Sequence, residues 1–159
     1  MAETTPTIVI VDDEGMVLTS LESFLALETD YQVHTFPSPA VAALEFIRSN
    51  DVRLVISDYL MPEMDGISLL AEVREAKPDV TRIILTGYAD KENAIKAINE
   101  VGLFQYVEKP WDNEDLRIII RNGLEKQHLM QNLRRKITEI EKAYGDLQRI
   151  QQDILKTFA

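Results

Sequence analysis

Short apolar runs rich in β-branched residues alternate along the chain with longer stretches whose apolar residues recur every three or four positions. Thr7-Ile8-Val9-Ile10-Val11 is apolar without interruption after its first residue, the pattern of a strand buried on both faces. Leu54-Val55-Ile56-Ser57, Arg82-Ile83-Ile84-Leu85 and Phe104-Gln105-Tyr106-Val107 read as three further strands, and Gln32-Val33-His34-Thr35-Phe36 as a fifth. Between them the period becomes helical. Val17, Leu21, Phe24 and Leu25 share one face; Val41, Leu44 and Ile47 share a second. Leu69, Leu70 and Val73 form a third face, and Ala94, Ile95 and Ile98 a fourth. Ser38 is placed to cap the second helix, with Pro39 at its first position, where a missing N–H is harmless. Strand and helix alternating five times predict an α/β chain, a parallel sheet wrapped on both faces, with right-handed crossovers.

The last helix opens after Pro110 and Trp111, with Asp112 as its N-cap and Glu114 and Asp115 suited to the first turn. Leu116, Ile119, Ile120 and Leu124 are spaced to pack it on the sheet. The chain then continues past Lys126 with no proline and one glycine, Gly145. Met130, Leu133, Ile137, Ile140, Tyr144, Leu147, Gln151, Ile154 and Phe158 alternate by three and four, the a and d stripe of a coiled coil. A lone helix gains most of its stability from packing, so the stripe asks for a partner. Lys136 at g would face Glu141 at e of a parallel partner, and Gln151 puts a polar group in the seam, where it can set register. Ile150 and Leu155 widen the apolar surface near the end, as in a bundle or before a following domain. About 28 residues at 1.5 Å each reach roughly 42 Å, too far for the helix to fold back on one domain. The expectation is two parts, 6–126 and a continuous helical extension 127–159, with a parallel homodimer formed through 130–158.

Composition narrows the setting. At 159 residues the chain can bury one ordinary core with an appended element, and 45% hydrophobic with 28% charged residues suits a globular protein. It holds no apolar run long enough to cross a bilayer, and Met1 to Pro6 lack the features of a signal peptide. The absence of cysteine rules out disulfides and thiolate metal sites, and a cytoplasmic location is expected. A net charge of −10 is the wrong sign for holding nucleic acid by its phosphates.

In an open parallel sheet, ligands bind beyond the carboxyl ends of the strands. Asp12, Asp13 and Glu14 follow the first strand, and Asp58 the third; Thr86-Gly87 ends the fourth, and Glu108-Lys109-Pro110 the fifth. Three aspartates, a hydroxyl and an ammonium therefore gather at one edge. Carboxylates held so close repel unless a cation intervenes. An oxygen-only ligand set with room for water suits Mg²⁺ better than zinc.

The set Asp12-Asp13, Asp58 with Pro62 and Met64-Asp65-Gly66, Thr86-Gly87 and Lys109-Pro110 resembles that of bacterial two-component response-regulator receiver domains, in order and spacing, over roughly residues 6 to 126. The resemblance implies a flavodoxin-like (βα)5 fold with strand order 2-1-3-4-5. It implies that Asp58 is the phosphoacceptor, attacking a phosphohistidine on a sensor histidine kinase or phosphotransfer protein. Mg²⁺ would be bound by Asp13, Asp58 and the Leu60 backbone carbonyl, with Asp12 acting mainly through water. Thr86 would hydrogen-bond a phosphoryl oxygen, Lys109 would pair with another, and Pro110 matches a cis-peptide position. Tyr106 matches an aromatic that turns inward when the threonine moves, although a half-buried strand aromatic that simply packs is the other reading. Phosphorylation would change the face of helix four, strand five and helix five, and with it the pairing of the C-terminal helix. Such a chain is a regulator that assists only its own phosphorylation and dephosphorylation, not an enzyme acting on other substrates.

His34 and His128 lack metal-ligand spacing; His34, on the second strand, reads as structural. An aspartate-nucleophile phosphatase of the haloacid dehalogenase type would carry two aspartates two positions apart on its first strand, with a cap segment. Here the pair is adjacent and the candidate nucleophile follows the third strand. Lys109-Pro110-Trp111 before a long helix also resembles receivers joined to enzymatic outputs, such as cyclic-di-GMP phosphodiesterases or kinase modules, and an end in mid-heptad suits a piece of such a regulator.

Overall fold

The computed structural model describes residues 5–37 and 40–158. The chain divides into two units, Met1–Gln127 and His128–Ala159. Ser38 and Pro39, expected to open the second helix, lie outside the described residues.

The first unit is built on strands β1 (Thr7–Val11), β2 (Gln32–Phe36), β3 (Leu54–Asp58), β4 (Thr81–Thr86) and β5 (Gln105–Glu108). All pair in parallel, in the order β2-β1-β3-β4-β5. This is the flavodoxin-like order expected. Helices α1 (Gly15–Glu28), α2 (Ala40–Ser49), α3 (Gly66–Ala76) and α4 (Lys91–Glu100) connect the strands, a 3₁₀ turn (Tyr88–Asp90) precedes α4, and α5 spans Asn113–Phe158. β3 and β4 are buried along their whole length, whereas the edge strands β2 and β5 are only partly covered.

Alternating residues of each central strand serve two separate cores, as the two-residue period of a strand dictates. Val9, Val11, Val55 and Ile84 pack with α2, α3 and α4 on one face; Ile8, Ile10, Ile56, Ile83 and Leu85 pack with α1 and α5 on the other. Two expected core positions face solvent instead: Val41 is 52% exposed and Ile95 45%. α2 buries Ala40, Ala43, Leu44 and Ile47, and α4 buries Ala94 and Ala97. Alanines hold sheet-facing positions in both helices, and the branched residue next to each lies outside that face.

Where α5 crosses the sheet, Leu116, Ile120 and Leu124 are buried as expected and Ile119 packs beside them. Asp112 caps the helix, its Oδ1 accepting from the Asp115 N–H at 3.1 Å. Gly123 permits the close approach: a Cβ there would lie 2.9 Å from Thr81 Cγ2 and 3.0 Å from Leu54 Cδ1. The Thr81 hydroxyl donates to the Gly123 carbonyl at 2.7 Å, and the Lys126 ammonium sits 5.4 Å from the centre of the Phe104 ring.

In the second unit, residues 128–158 are helical, and the stripe from Met130 to Phe158 is open, its large apolar members 41 to 84% exposed. No helix among the described residues is long and apolar enough to cross a membrane.

Candidate functional site

The strand order reverses between β1 and β3, where the chain passes from one side of β1 to the other. Asp12 stands immediately after β1 and Asp58 is the last residue of β3. Two local devices fix the Asp58 loop. Asp65 caps α3, accepting from the Ser68 N–H at 2.7 Å, and the Gly66 N–H donates to the Tyr59 carbonyl at 2.9 Å. A Cβ on Gly66 would come within 2.1 Å of the Asp58 carbonyl oxygen, so only glycine fits there. Between these two, Glu63 has a φ of 72°, a left-handed turn that returns the chain toward α3.

Asp12 is fully buried, Asp58 is 7% exposed and Asp13 is exposed. One carboxylate oxygen of each can lie within 4.8 Å of the others. Lys109 bridges the buried pair, with its Nζ 3.0 Å from Asp58 Oδ1 and 3.3 Å from Asp12 Oδ2. The other Asp12 oxygen accepts from the Glu14 N–H at 2.9 Å. Lys109 is itself held by its N–H, which donates to the Thr86 carbonyl at 2.8 Å, and its bond to Pro110 is cis.

Burial raises the Asp12 carboxyl to about 6, helped by the charge of Asp58 and opposed by the Glu14 N–H and by Lys109. Asp58 is raised for the same first reason, with Asp13 adding to the effect and Lys109 opposing it. Burial pulls Lys109 down, but its bonds to Asp58 and Asp12 and their charges outweigh that and leave it above its ordinary value. One ammonium among three carboxylates leaves net negative charge, and the donors are all oxygen. That donor set fits a hard divalent cation such as Mg²⁺.

A cavity of about 350 Å³ opens over these groups. Asp13, Asp58 and Lys109 line it, together with Glu14, Leu60, Gly87 and Asp90. Thr86 is buried and its hydroxyl donates to the Gly87 carbonyl at 3.0 Å, so Gly87 forms the β4 side of the wall. Tyr106 is half-buried against the α2–α3–α4 core. Asp90 escaped the sequence reading because the 3₁₀ turn carries it back to the site; the signal available was its position four residues beyond Thr86. His34, on the edge strand, stacks on Phe46 with ring centres 4.6 Å apart and takes no part in the site.

Residues 8–121 match the response regulator receiver domain. The chain belongs to the receiver family. It is thereby a phosphoacceptor module of two-component signalling, and receivers are phosphorylated by sensor histidine kinases or phosphotransfer proteins. The receiver is 33% identical over 135 residues to the hydrogenase transcriptional regulatory protein HoxA of Cupriavidus necator, covering 85% of this chain and 27% of HoxA. It is 35% identical over 127 residues to the regulatory protein AtoC of Escherichia coli, covering 80% of this chain and 27% of AtoC. The chain thus spans about a quarter of the length of these curated relatives. Among solved structures, the signal receiver domain of an HD domain-containing protein from Pseudomonas fluorescens is 39% identical with a TM-score of 0.73, covering 79% of this chain and 98% of that one. A structure described as adenylate cyclase from Rhodopirellula baltica is 27% identical with a TM-score of 0.79, covering 85% of this chain and 98% of that one.

Proposed function

We propose that Asp58 is the residue phosphorylated and that Lys109, Thr86 and the carboxylates of Asp12 and Asp13 complete its site. The observation that carries this reading is the single ammonium bridging Asp12 and Asp58 at the floor of the cavity. Asp13 and Asp58 would hold Mg²⁺, with the Leu60 carbonyl as a further ligand and Asp12 acting through water. When bound, the ion supplies positive charge against the incoming phosphoryl oxygens.

The chain's own groups do the rest. An ionised carboxylate is a nucleophile without a general base. Phosphoryl transfer has a loose transition state, so alignment and charge neutralisation dominate catalysis. The β3 register and the Gly66 contact aim Asp58, and Lys109 neutralises one phosphoryl oxygen. Thr86 rotates its hydroxyl from the Gly87 carbonyl to another phosphoryl oxygen, and Tyr106 follows into the space released. The acyl phosphate so formed hydrolyses in water, so the signal resets.

Through the face of α4, β5 and α5, this change is passed to residues 128–158, which pair in parallel with the same helix of a second copy. The exposed a and d stripe and the complementary Lys136 and Glu141 at g and e support that pairing. The solved relatives described as part of an HD domain-containing protein and as an adenylate cyclase favour, as a second reading, an enzymatic output driven by this receiver.

Mass spectrometry after incubation with a small phosphodonor and Mg²⁺ tests the site: the wild-type chain gains one phosphoryl group and Asp58→Asn none. A gain by Asp58→Asn removes the assignment. Light scattering with and without beryllofluoride tests the pairing. Twice the chain mass in either state supports it, and a monomer in both removes it.

A further inference from the structure

Asp90 lines the same cavity as Asp58 and Lys109, yet the roles assigned above leave it unused. It stands at the N-cap of α4, where an aspartate ordinarily accepts a backbone N–H two or three residues on; here its side chain makes no such bond. Its Oδ2 lies 3.9 Å from where a Cβ on Gly87 would stand, so the carboxylate lies over the β4 side of the cavity rather than over its own helix. Lys91, the next residue, reaches instead to Glu108 at 3.7 Å. Among the described residues, no ion pair or side-chain hydrogen bond engages the Asp90 carboxylate.

Depth within the cavity gives this carboxylate a direction of action. Asp58 is 7% exposed and forms the floor, while Leu60 is 61% exposed and marks the outer wall. Asp90 is half-buried, more open to solvent than Asp58. In-line transfer puts the leaving group on the side of phosphorus opposite the Asp58 oxygen, hence toward the outer wall. Charge on the leaving group is therefore what Asp90 meets.

We propose that Asp90 is a specificity-determining residue that sorts phosphoryl donors by leaving-group charge, favouring a protonated nitrogen over an acyl oxygen. The proposal rests on Asp58 being the acceptor. With a phosphoimidazolium or phosphoramidate donor, the Asp58 Oδ–P bond forms and the P–N bond breaks. The electron pair stays on nitrogen, and a cationic group departs neutral. With an acyl phosphate the P–O bond breaks, the pair stays on oxygen, and a neutral group departs as a carboxylate. Midway through transfer the two leaving groups differ by one unit of charge. A carboxylate on the outer wall attracts the first and repels the second, which disfavours small acyl phosphates relative to the phosphohistidine of a partner protein.

Second-order phosphorylation rate constants of the purified chain with Mg²⁺, using acetyl phosphate and phosphoramidate, test this. One unit of charge interacting with Asp90 across about 8 Å, with screening between that of a protein surface and that of water, predicts that Asp90→Asn raises the acetyl phosphate to phosphoramidate ratio by roughly 3- to 30-fold. The change shrinks as salt is added, and Asp90→Glu keeps the wild-type ratio. An unchanged ratio overturns the proposal, as do both constants moving together, the result of a merely structural disturbance of α4. Equal phosphorylation of Asp58→Asn in the same assay overturns the acceptor assignment instead, and the proposal with it.

Discussion

Asp12 is the group whose replacement gives the most informative result, because it is fully buried and its carboxyl is raised from 3.8 to about 6. A raised carboxyl means that the folded chain binds a proton more tightly than the unfolded one. Its favourable contribution is complete below about pH 4 and is lost as pH climbs through 6. A shift of roughly two units corresponds to about 3 kcal/mol. In EDTA the wild-type chain should therefore lose stability between pH 4 and pH 7. Asp12→Asn cannot ionise and should escape the Asp12 part of that loss, keeping the part that belongs to Asp58, which burial also raises. Its amide oxygen can still accept from the Glu14 N–H, while Lys109 loses one of its two partners, which trims the gain to about 1–2 kcal/mol at pH 7.5. Urea denaturation at pH 4.5 and pH 7.5, with EDTA and with Mg²⁺, measures each quantity. The variant's advantage over wild type in EDTA should be smaller at pH 4.5 than at pH 7.5, and it should vanish in Mg²⁺. A variant less stable than wild type at pH 7.5 in EDTA would refute the argument that buried charge dominates this site.

Three further outcomes follow from packing and charge. Gly66→Ala places a Cβ 2.1 Å from the Asp58 carbonyl oxygen, so it should cost about 3 kcal/mol or more and abolish beryllofluoride binding, read by denaturation and by fluorescence of Trp111. Gly123→Ala should destabilise by about 1–3 kcal/mol despite its better helix propensity, because Thr81 and Leu54 occupy the space, whereas Gly145→Ala, with open space around it, should gain about 1 kcal/mol of helix stability; thermal melts of the two compare them. Lys136→Glu should weaken dimerisation, and the double change Lys136→Glu with Glu141→Lys should restore it in sedimentation experiments, if the coil is parallel.

Most of the sheet was legible because its central strands are buried on both faces and so read as unbroken apolar runs. The acidic cluster was legible for a related reason: once the strands are parallel, everything that follows their carboxyl ends must converge. Helix faces were read less well at Val41 and Ile95, where large residues drew attention from the small alanines that are buried. The value of Gly66 and Gly123 lies in backbone approach between distant segments, which no local pattern encodes. Asp90 was missed because a turn, not a strand, returns it to the cavity. The Thr86 hydroxyl was identified by position, but its bond to the Gly87 carbonyl depends on a rotation that sequence does not specify.

The division of each central strand between two cores has an evolutionary consequence. Removing or adding one residue within β1 would send Ile8 and Ile10 to the layer that holds Val9 and Val11, and the reverse, while sliding Asp12 away from Lys109. Strand length is therefore under two penalties at once, one thermodynamic and one chemical, and a single-codon deletion incurs both. Helix surfaces carry no such double constraint, since a surface side chain can change without moving the acid cluster. Lineages of this fold are thus free to diversify in what docks on them while the length of the strand beneath the acids stays locked.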